Sequence, residues 1–127
     1  MRLLLDTHIW LWSLREPQRL SHRLARELGD PANELWLSPV SMWEALLLYA
    51  KGRIEIPGDL AEWVALSTRS LREAPLTHEI VLAAHQLPFP HLDPADRFLA
   101  GTAQVLDLTL VTADKRLLGL GDRKSVV

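Results

Sequence analysis

The sequence predicts an α/β fold in which a central, mostly parallel sheet carries helices on both faces. Three observations predict it. Leu3-Leu4-Leu5, Leu35-Trp36-Leu37 and Leu108 to Val111 are apolar runs too short for helices and suited to strands buried on both faces. Between them lie longer segments whose apolar residues recur at helical spacing, several opened by Ser, Thr or Asp. Strands alternating with helices form right-handed crossovers, which put helices on both faces of a parallel sheet. At 127 residues the chain is long enough for one core and short for two, so a single domain over residues 1–127 is expected.

Taken in order, Leu3 to Leu5 is the expected central strand and ends at Asp6. Thr7 to Arg15 carries Ile9, Leu11, Trp12 and Leu14 ahead of Pro17, and Ser21 to Leu28 carries Leu24 and Leu28 with Gly29 as stop, so two helices follow. After the second strand, Ser38-Pro39 reads as an N-cap with proline at the first helical position, opening a helix to about Ala50 that Gly52 closes. Pro57-Gly58 turns the chain, and Asp59 caps an amphipathic helix containing Leu60, Trp63, Val64 and Leu71. A third strand is expected over Glu73 to Leu76. Thr77 then caps a helix bearing Ile80, Val81 and Ala84, which Pro88 and Pro90 stop. From Pro94 to about Leu106, Phe98, Leu99, Thr102 and Val105 sit at helical spacing. Gly101 costs that helix about 1 kcal/mol relative to Ala, and close helix-to-sheet contact is the expected compensation. The Leu108 to Val111 strand follows, Asp114 opens a short helix ending near Gly119, and Gly121 to Val127 is open between an edge strand and a frayed end.

Composition narrows the function. Apolar types make up 48% of residues and charged types 24%, as in a globular protein. The longest stretch without Asp, Glu, Lys or Arg, Ile80 to Leu92, is interrupted by two prolines, whereas a membrane span needs roughly 20 apolar residues. The opening segment has only Leu3 to Leu5 before Asp6, short of a signal peptide's apolar region of about 7–15, so a cytoplasmic protein without membrane attachment is expected. Without cysteine there is no disulfide, no zinc-thiolate site and no thiol nucleophile, and any metal must be held by oxygen or imidazole. Fourteen basic against 16 acidic residues give a net charge of -2, which argues against a simple basic nucleic-acid binder. A divalent cation among carboxylates reverses the local charge, so nucleic acid is not excluded.

In open parallel sheets ligands bind beyond the carboxyl ends of the strands, at a topological switch point. Asp6 ends the first strand, Asp114 follows another by two residues, and Glu44 and Asp96 fall in early helical turns reached from the same edge. Four carboxylates meeting without thiolate or imidazole make a hard-oxygen site suited to Mg²⁺ or Mn²⁺. Each acid also has a structural alternative. Asp6 can cap the helix from Thr7. Ser41-Met42-Trp43-Glu44 matches a capping box, although Ser38-Pro39 makes Ser38 the better cap. Asp93 can cap a helix in which Asp96 complements the dipole, and Asp114 is as readily a cap as a ligand.

Among other residues, Trp36, Trp43 and Trp63 are expected in the core. Trp10 and Trp12, two apart on a helix, cannot share one face, so one of them should be exposed and available to a partner. Arg19, Arg23 and Arg26 form either a solvated face or a phosphate-tracking stripe. His78 and His85, seven apart on one helix face, read as structural.

Several motifs then carry a resemblance. Leu3-Leu4-Leu5-Asp6-Thr7-His8 with Leu11-Trp12, Ser38-Pro39-Val40-Ser41 with Trp43-Glu44, and Lys51-Gly52-Arg53-Ile54 come first. Pro90-His91-Leu92-Asp93-Pro94-Ala95-Asp96-Arg97 with Leu99-Ala100, and Leu110-Val111-Thr112-Ala113-Asp114, follow. In order and spacing the chain resembles PIN-domain proteins, in particular the VapC-type ribonuclease toxins of toxin–antitoxin pairs, along nearly its whole length. The resemblance implies a PIN-like three-layer sandwich and metal-dependent cleavage of RNA phosphodiesters, with Mg²⁺ or Mn²⁺ as cofactor. Asp6, Glu44, Asp96 and Asp114 match the family's catalytic, metal-binding quartet, and Asp93 matches an extra acid beside it. Thr7, Asp93 and Thr112 are the neighbours expected to support these acids. Also implied are a homodimer and a cognate antitoxin that lays an apolar segment near the acids, with Trp10 or Trp12 as its expected contact. The chain departs from the family pattern at Gly101, where alanine is more usual, and in the short ending Arg123-Lys124-Ser125-Val126-Val127. A phosphoacceptor receiver, the competing class, would need paired acids after the first strand and an acceptor Asp after the third. Leu5-Asp6-Thr7 has one acid and Pro75-Leu76-Thr77 none. A degenerate PIN domain that only binds a partner is opposed by the four intact acids.

Overall fold

A computed structural model describes residues 1–114 together with the backbone of residues 125 and 126. The elements run β1 (Arg2–Leu5), α1 (Thr7–Arg15), a 3-10 turn (Pro17–Arg19), α2 (His22–Gly29), β2 (Glu34–Leu37), α3 (Pro39–Ala50) and α4 (Leu60–Ser67). They continue with β3 (Arg72–Glu73), α5 (His78–Gln86), α6 (Pro94–Leu106), β4 (Thr109–Val111) and β5 (Ser125–Val126). The strands form one sheet in the order β3-β2-β1-β4-β5, and every pairing among the described residues is parallel.

Alternation along β1 builds the layers. Leu4 enters one cluster with Leu99, Ala103 and Leu110, whereas Leu3 and Leu5 enter the other with Ile9, Trp10, Leu24, Ala45 and Val111. Helix α6 therefore covers one face of the sheet, with α5 packed on it, and α1, α2 and α3 cover the opposite face. This is the expected three-layer sandwich, and β1 is its central strand. Local chemistry sets the helix starts, since Asp6, Ser21, Ser38, Asp59, Thr77 and Asp93 each accept a backbone N–H of the helix they precede. Gly52, at φ 71°, supplies the left-handed residue after α3.

Several expectations are corrected. The third strand is Arg72–Glu73 rather than Glu73 to Leu76; Ala74 still donates to Leu37, but Pro75 has no N–H to extend the ladder. Helix α4 stops at Ser67, short of Leu71, where the hydroxyls of Ser67 and Thr68 both bond the Val64 carbonyl. Gly101 serves helix-to-helix contact instead of helix-to-sheet contact, for a Cβ there would stand 2.9 Å from the Ala84 nitrogen and 3.0 Å from the Ile80 oxygen of α5. Trp43 is not in the core: it is 64% exposed, two residues from the buried Ser41 and Ala45 on either side and so on the far face of α3. Trp36 and Trp63 are half-buried against the two clusters. Arg19 shares no helix with Arg23 and Arg26, because Leu20 is extended and Ser21 begins a new helix. His78 and His85 lie exposed on α5.

The helix expected after Asp114 falls outside the described residues. Of the tail, Ser125 and Val126 take the edge-strand alternative, beside β4. Among the described residues no helix is long and apolar enough to cross a membrane.

Candidate active site

After β1 the chain builds the sheet outward through β2 and β3, then returns to place β4 on the other side of β1. The switch point is therefore between β1 and β4, and the residues leaving their carboxyl ends are Asp6 and the segment Thr112 to Asp114. The two ends are tied directly, with the Asp6 amide donating to the Val111 carbonyl at 2.9 Å.

Asp6 is 7% exposed and fully engaged in positioning. Its Oδ1 accepts the His8 amide at 3.0 Å, which is the N-cap of α1, and its Oδ2 accepts the Thr112 hydroxyl at 2.6 Å. Thr112 Oγ1 in turn accepts the Asp114 amide at 2.9 Å. One buried threonine thus fixes both acids of the switch point. Capping leaves Asp6 able to take a further ligand, because each carboxylate oxygen keeps acceptor capacity beyond its single donor.

Glu44 joins through Thr7, the residue after Asp6. The Thr7 hydroxyl donates to Glu44 Oε1, and Ser41 Oγ lies 2.9 Å from the same hydroxyl oxygen. A carboxylate can only accept, so the single Thr7 proton is committed to Glu44 and Ser41 acts as the donor in the second bond. Ser38 caps α3 by accepting the Val40 amide at 3.0 Å, which leaves Glu44 in the second turn without a capping task.

Asp96 stands half-buried in the first turn of α6, its amide donating to the capping Asp93 at 2.8 Å. Helix α6 spans about 20 Å and returns the chain to the start of β4, so its first turn is at the carboxyl edge, on the side of Asp6 and Asp114. It packs against α3 and β4, the elements next to the other acids. Hydrogen bonds thus form two sets, Asp6–Thr112–Asp114 and Thr7–Glu44, joined through the Asp6–Thr7 peptide, while topology brings Asp93 and Asp96 to the same edge. Among the described residues no three Asp, Glu or His side chains form a ready-made group for a metal ion.

The two tryptophans separate. Trp10 is 1% exposed and packs against Trp63 with ring centroids 5.8 Å apart and planes tilted by 47°, which corrects the expectation that it could meet a partner. Trp12 is half-buried beside the acids, where a cleft of about 340 Å³ is lined by Asp6, His8, Trp12, Arg19, Ala113 and Asp114. Sequence reasoning named Arg19 only in a stripe with Arg23 and Arg26 and missed His8 as a wall of this cleft; the His8–Trp12 spacing of one helical turn was the available signal. It also missed Arg97, whose Nη1 donates to Ala84 and Leu87 carbonyls at 2.9 and 3.2 Å and whose Nη2 donates to Phe89 at 2.8 Å. That guanidinium ties the end of α5 to the helix turn carrying Asp96.

Fold and site together define a class: three-layer α/β proteins with acidic residues at the switch point of a parallel sheet. The chain belongs to the PIN domain family, whose description matches residues 3–122. It is 34% identical over 117 residues to Ribonuclease VapC22 of Mycobacterium tuberculosis, covering 91% of this chain and 88% of that protein. Its fold is similar to VapBC2 from Rickettsia felis bound to a promoter DNA fragment, with a TM-score of 0.74 at 16% identity, covering 99% of this chain and 98% of the other. A toxin–antitoxin complex from Klebsiella pneumoniae gives a TM-score of 0.70 at 17% identity, covering 98% and 96%. FitAcB from Neisseria gonorrhoeae gives 0.66 at 19%, also covering 98% and 96%.

Proposed function

We propose that this protein is a metal-dependent endoribonuclease, the toxin of a toxin–antitoxin pair. The observation that carries the reading is the two hydrogen-bonded sets, Asp6–Thr112–Asp114 and Thr7–Glu44, joined by the Asp6–Thr7 peptide at the switch point of a PIN-family sheet. Likeness to Ribonuclease VapC22 along most of the chain supports RNA as the substrate.

Asp6, Glu44, Asp96 and Asp114 are the residues that would hold Mg²⁺ or Mn²⁺. All four offer carboxylate oxygen, the donor such hard cations take. Bound there, the ion would supply an activated water and offset charge building on the phosphate during in-line displacement. The protein's own contribution is orientation. Thr112 holds Asp6 and the Asp114 backbone, Thr7 holds Glu44, and Asp93 fixes the turn bearing Asp96.

The partner is a cognate antitoxin, a reading supported by the toxin–antitoxin complexes among the similar folds. The toxin forms a homodimer and works in the cytoplasm, where its RNA and antitoxin are found. Sedimentation of the purified chain checks the dimer, and a monomer at micromolar concentration rejects it.

Purified protein freed of any partner should cleave single-stranded RNA with Mg²⁺ or Mn²⁺ and stop on adding EDTA. Asp6→Asn keeps size and capping while removing a charge, and should lower the rate by at least about 10²-fold. Wild-type cleavage by Asp6→Asn, with contaminating nuclease excluded, would sink the assignment.

A further inference from the structure

His8 lines three neighbouring depressions on the surface. The first is the cleft at Asp6 and Asp114. A second, of about 270 Å³, shares His8, Trp12 and Arg19 with it and adds Arg15, Arg53 and Glu16. The third, of about 130 Å³, contains Thr7, Glu44 and Lys51. Basic groups therefore flank the acids, and Glu16 is the one carboxylate lining the second depression.

The rings and cations are arranged for use. His8 is exposed one turn from Trp12, the two ring centroids 6.3 Å apart and tilted by 37°. The Arg19 guanidinium carbon sits 4.3 Å from the Trp12 ring centroid, and Nη1 reaches Glu16 at 3.3 Å. Trp12 and Glu16 thus hold Arg19 at the mouth of the acid-lined cleft.

Carboxylates alone repel a polyphosphate, and a strand crossing them needs cations on its neighbouring phosphates. Unpaired bases bind by stacking on aromatic rings, which bases in a duplex cannot do. We infer that His8, Trp12 and Arg19 form the subsite for the nucleotide beside the cleaved phosphodiester of an unpaired RNA strand. A base lies against the His8–Trp12 rings, and flanking phosphates meet Arg19, Arg15 and Arg53. This inference rests on the ribonuclease reading. Trp12 was expected to meet the antitoxin; the cations around it favour a polyanion over an apolar peptide.

Binding of a short fluorescein-labelled single-stranded RNA, followed by anisotropy in the Asp6→Asn background, tests the subsite apart from catalysis. Trp12→Ala and Arg19→Gln should each weaken binding by about tenfold, with Trp12→Phe keeping most of the affinity. Arg19→Gln should also reduce the salt dependence by about one released counterion. With Asp6 restored, both substitutions should raise KM and leave kcat little changed. Arg19 is exposed, so Arg19→Gln decides the matter even where Trp12→Ala folds poorly. Unchanged RNA affinity in Arg19→Gln, and in Trp12→Ala where it folds, together with unchanged KM in an enzyme that does cleave RNA, overturns the subsite and leaves Trp12 to a protein partner. Weakened binding by these variants, where the wild-type protein cleaves no RNA, would instead overturn the ribonuclease reading and support the subsite as an RNA-binding one.

Discussion

Glu44 separates two roles that one carboxylate can play. Ser38 already caps α3, and the Glu44 side chain is held by Thr7. Glu44→Gln keeps an oxygen for that hydroxyl and should abolish cleavage with almost no change in Tm, whereas loss of a cap would remove about 1 kcal/mol and spare activity. A destabilised but fully active Glu44→Gln protein rejects the role. Thr112 is the sharper case because it is completely buried between two acids. Thr112→Val keeps its shape and removes both bonds, so stability should fall by roughly 1–3 kcal/mol and cleavage should drop as well, while Thr112→Ser restores both. Equal cleavage by Val and Ser variants would show that Thr112 supports the fold alone. Asp6 stood out as a candidate in the sequence because it closes a buried strand, and the structure buries it at the end of β1. Arg97 was not legible, because its three carbonyl partners belong to residues that only tertiary folding brings to it.

Helices α5 and α6 show how far sequence pattern reaches. Their starts at Thr77 and Asp93 were readable from capping residues and the stop of α5 from Pro88 and Pro90, signals that act within a few residues of the chain. Which face of a helix meets the sheet is a tertiary outcome, and so Trp43 was expected in the core that Ser41 and Ala45 occupy instead. The same holds for Gly101, visible as a helix-weakening residue but not as the point where α6 meets the α5 backbone. Gly101→Ala gains about 1 kcal/mol of helix propensity and forces a methyl against backbone atoms at 2.9–3.0 Å, an overpacking worth about 1–3 kcal/mol. Backbone cannot swing aside as a side chain can, so the overpacking wins. Urea unfolding should show Gly101→Ala less stable than wild type, and a more stable variant would mean that the helices separate freely at this joint.

For the molecule as a whole, the proposed metal site would tie stability to the cation. Carboxylates that share a site repel one another, and a divalent ion bound only by the folded chain would relieve that repulsion. Binding to the native state alone adds RT ln(1 + [L]/Kd), about 2.7 kcal/mol at a hundredfold excess over Kd. In a chain of this size that is a rise in Tm of roughly 10 °C. Asp6→Asn and Glu44→Gln should each melt with little response to Mn²⁺, since each removes one charge from the set. Glu79→Gln, which alters an exposed acid on α5 outside the set, should keep the full rise. Thermal melts in Mn²⁺ and in EDTA therefore test the site without any RNA. Superimposed curves for the wild-type protein would show that these acids hold no ion, and an equal rise in all four proteins would place the ion elsewhere on the surface.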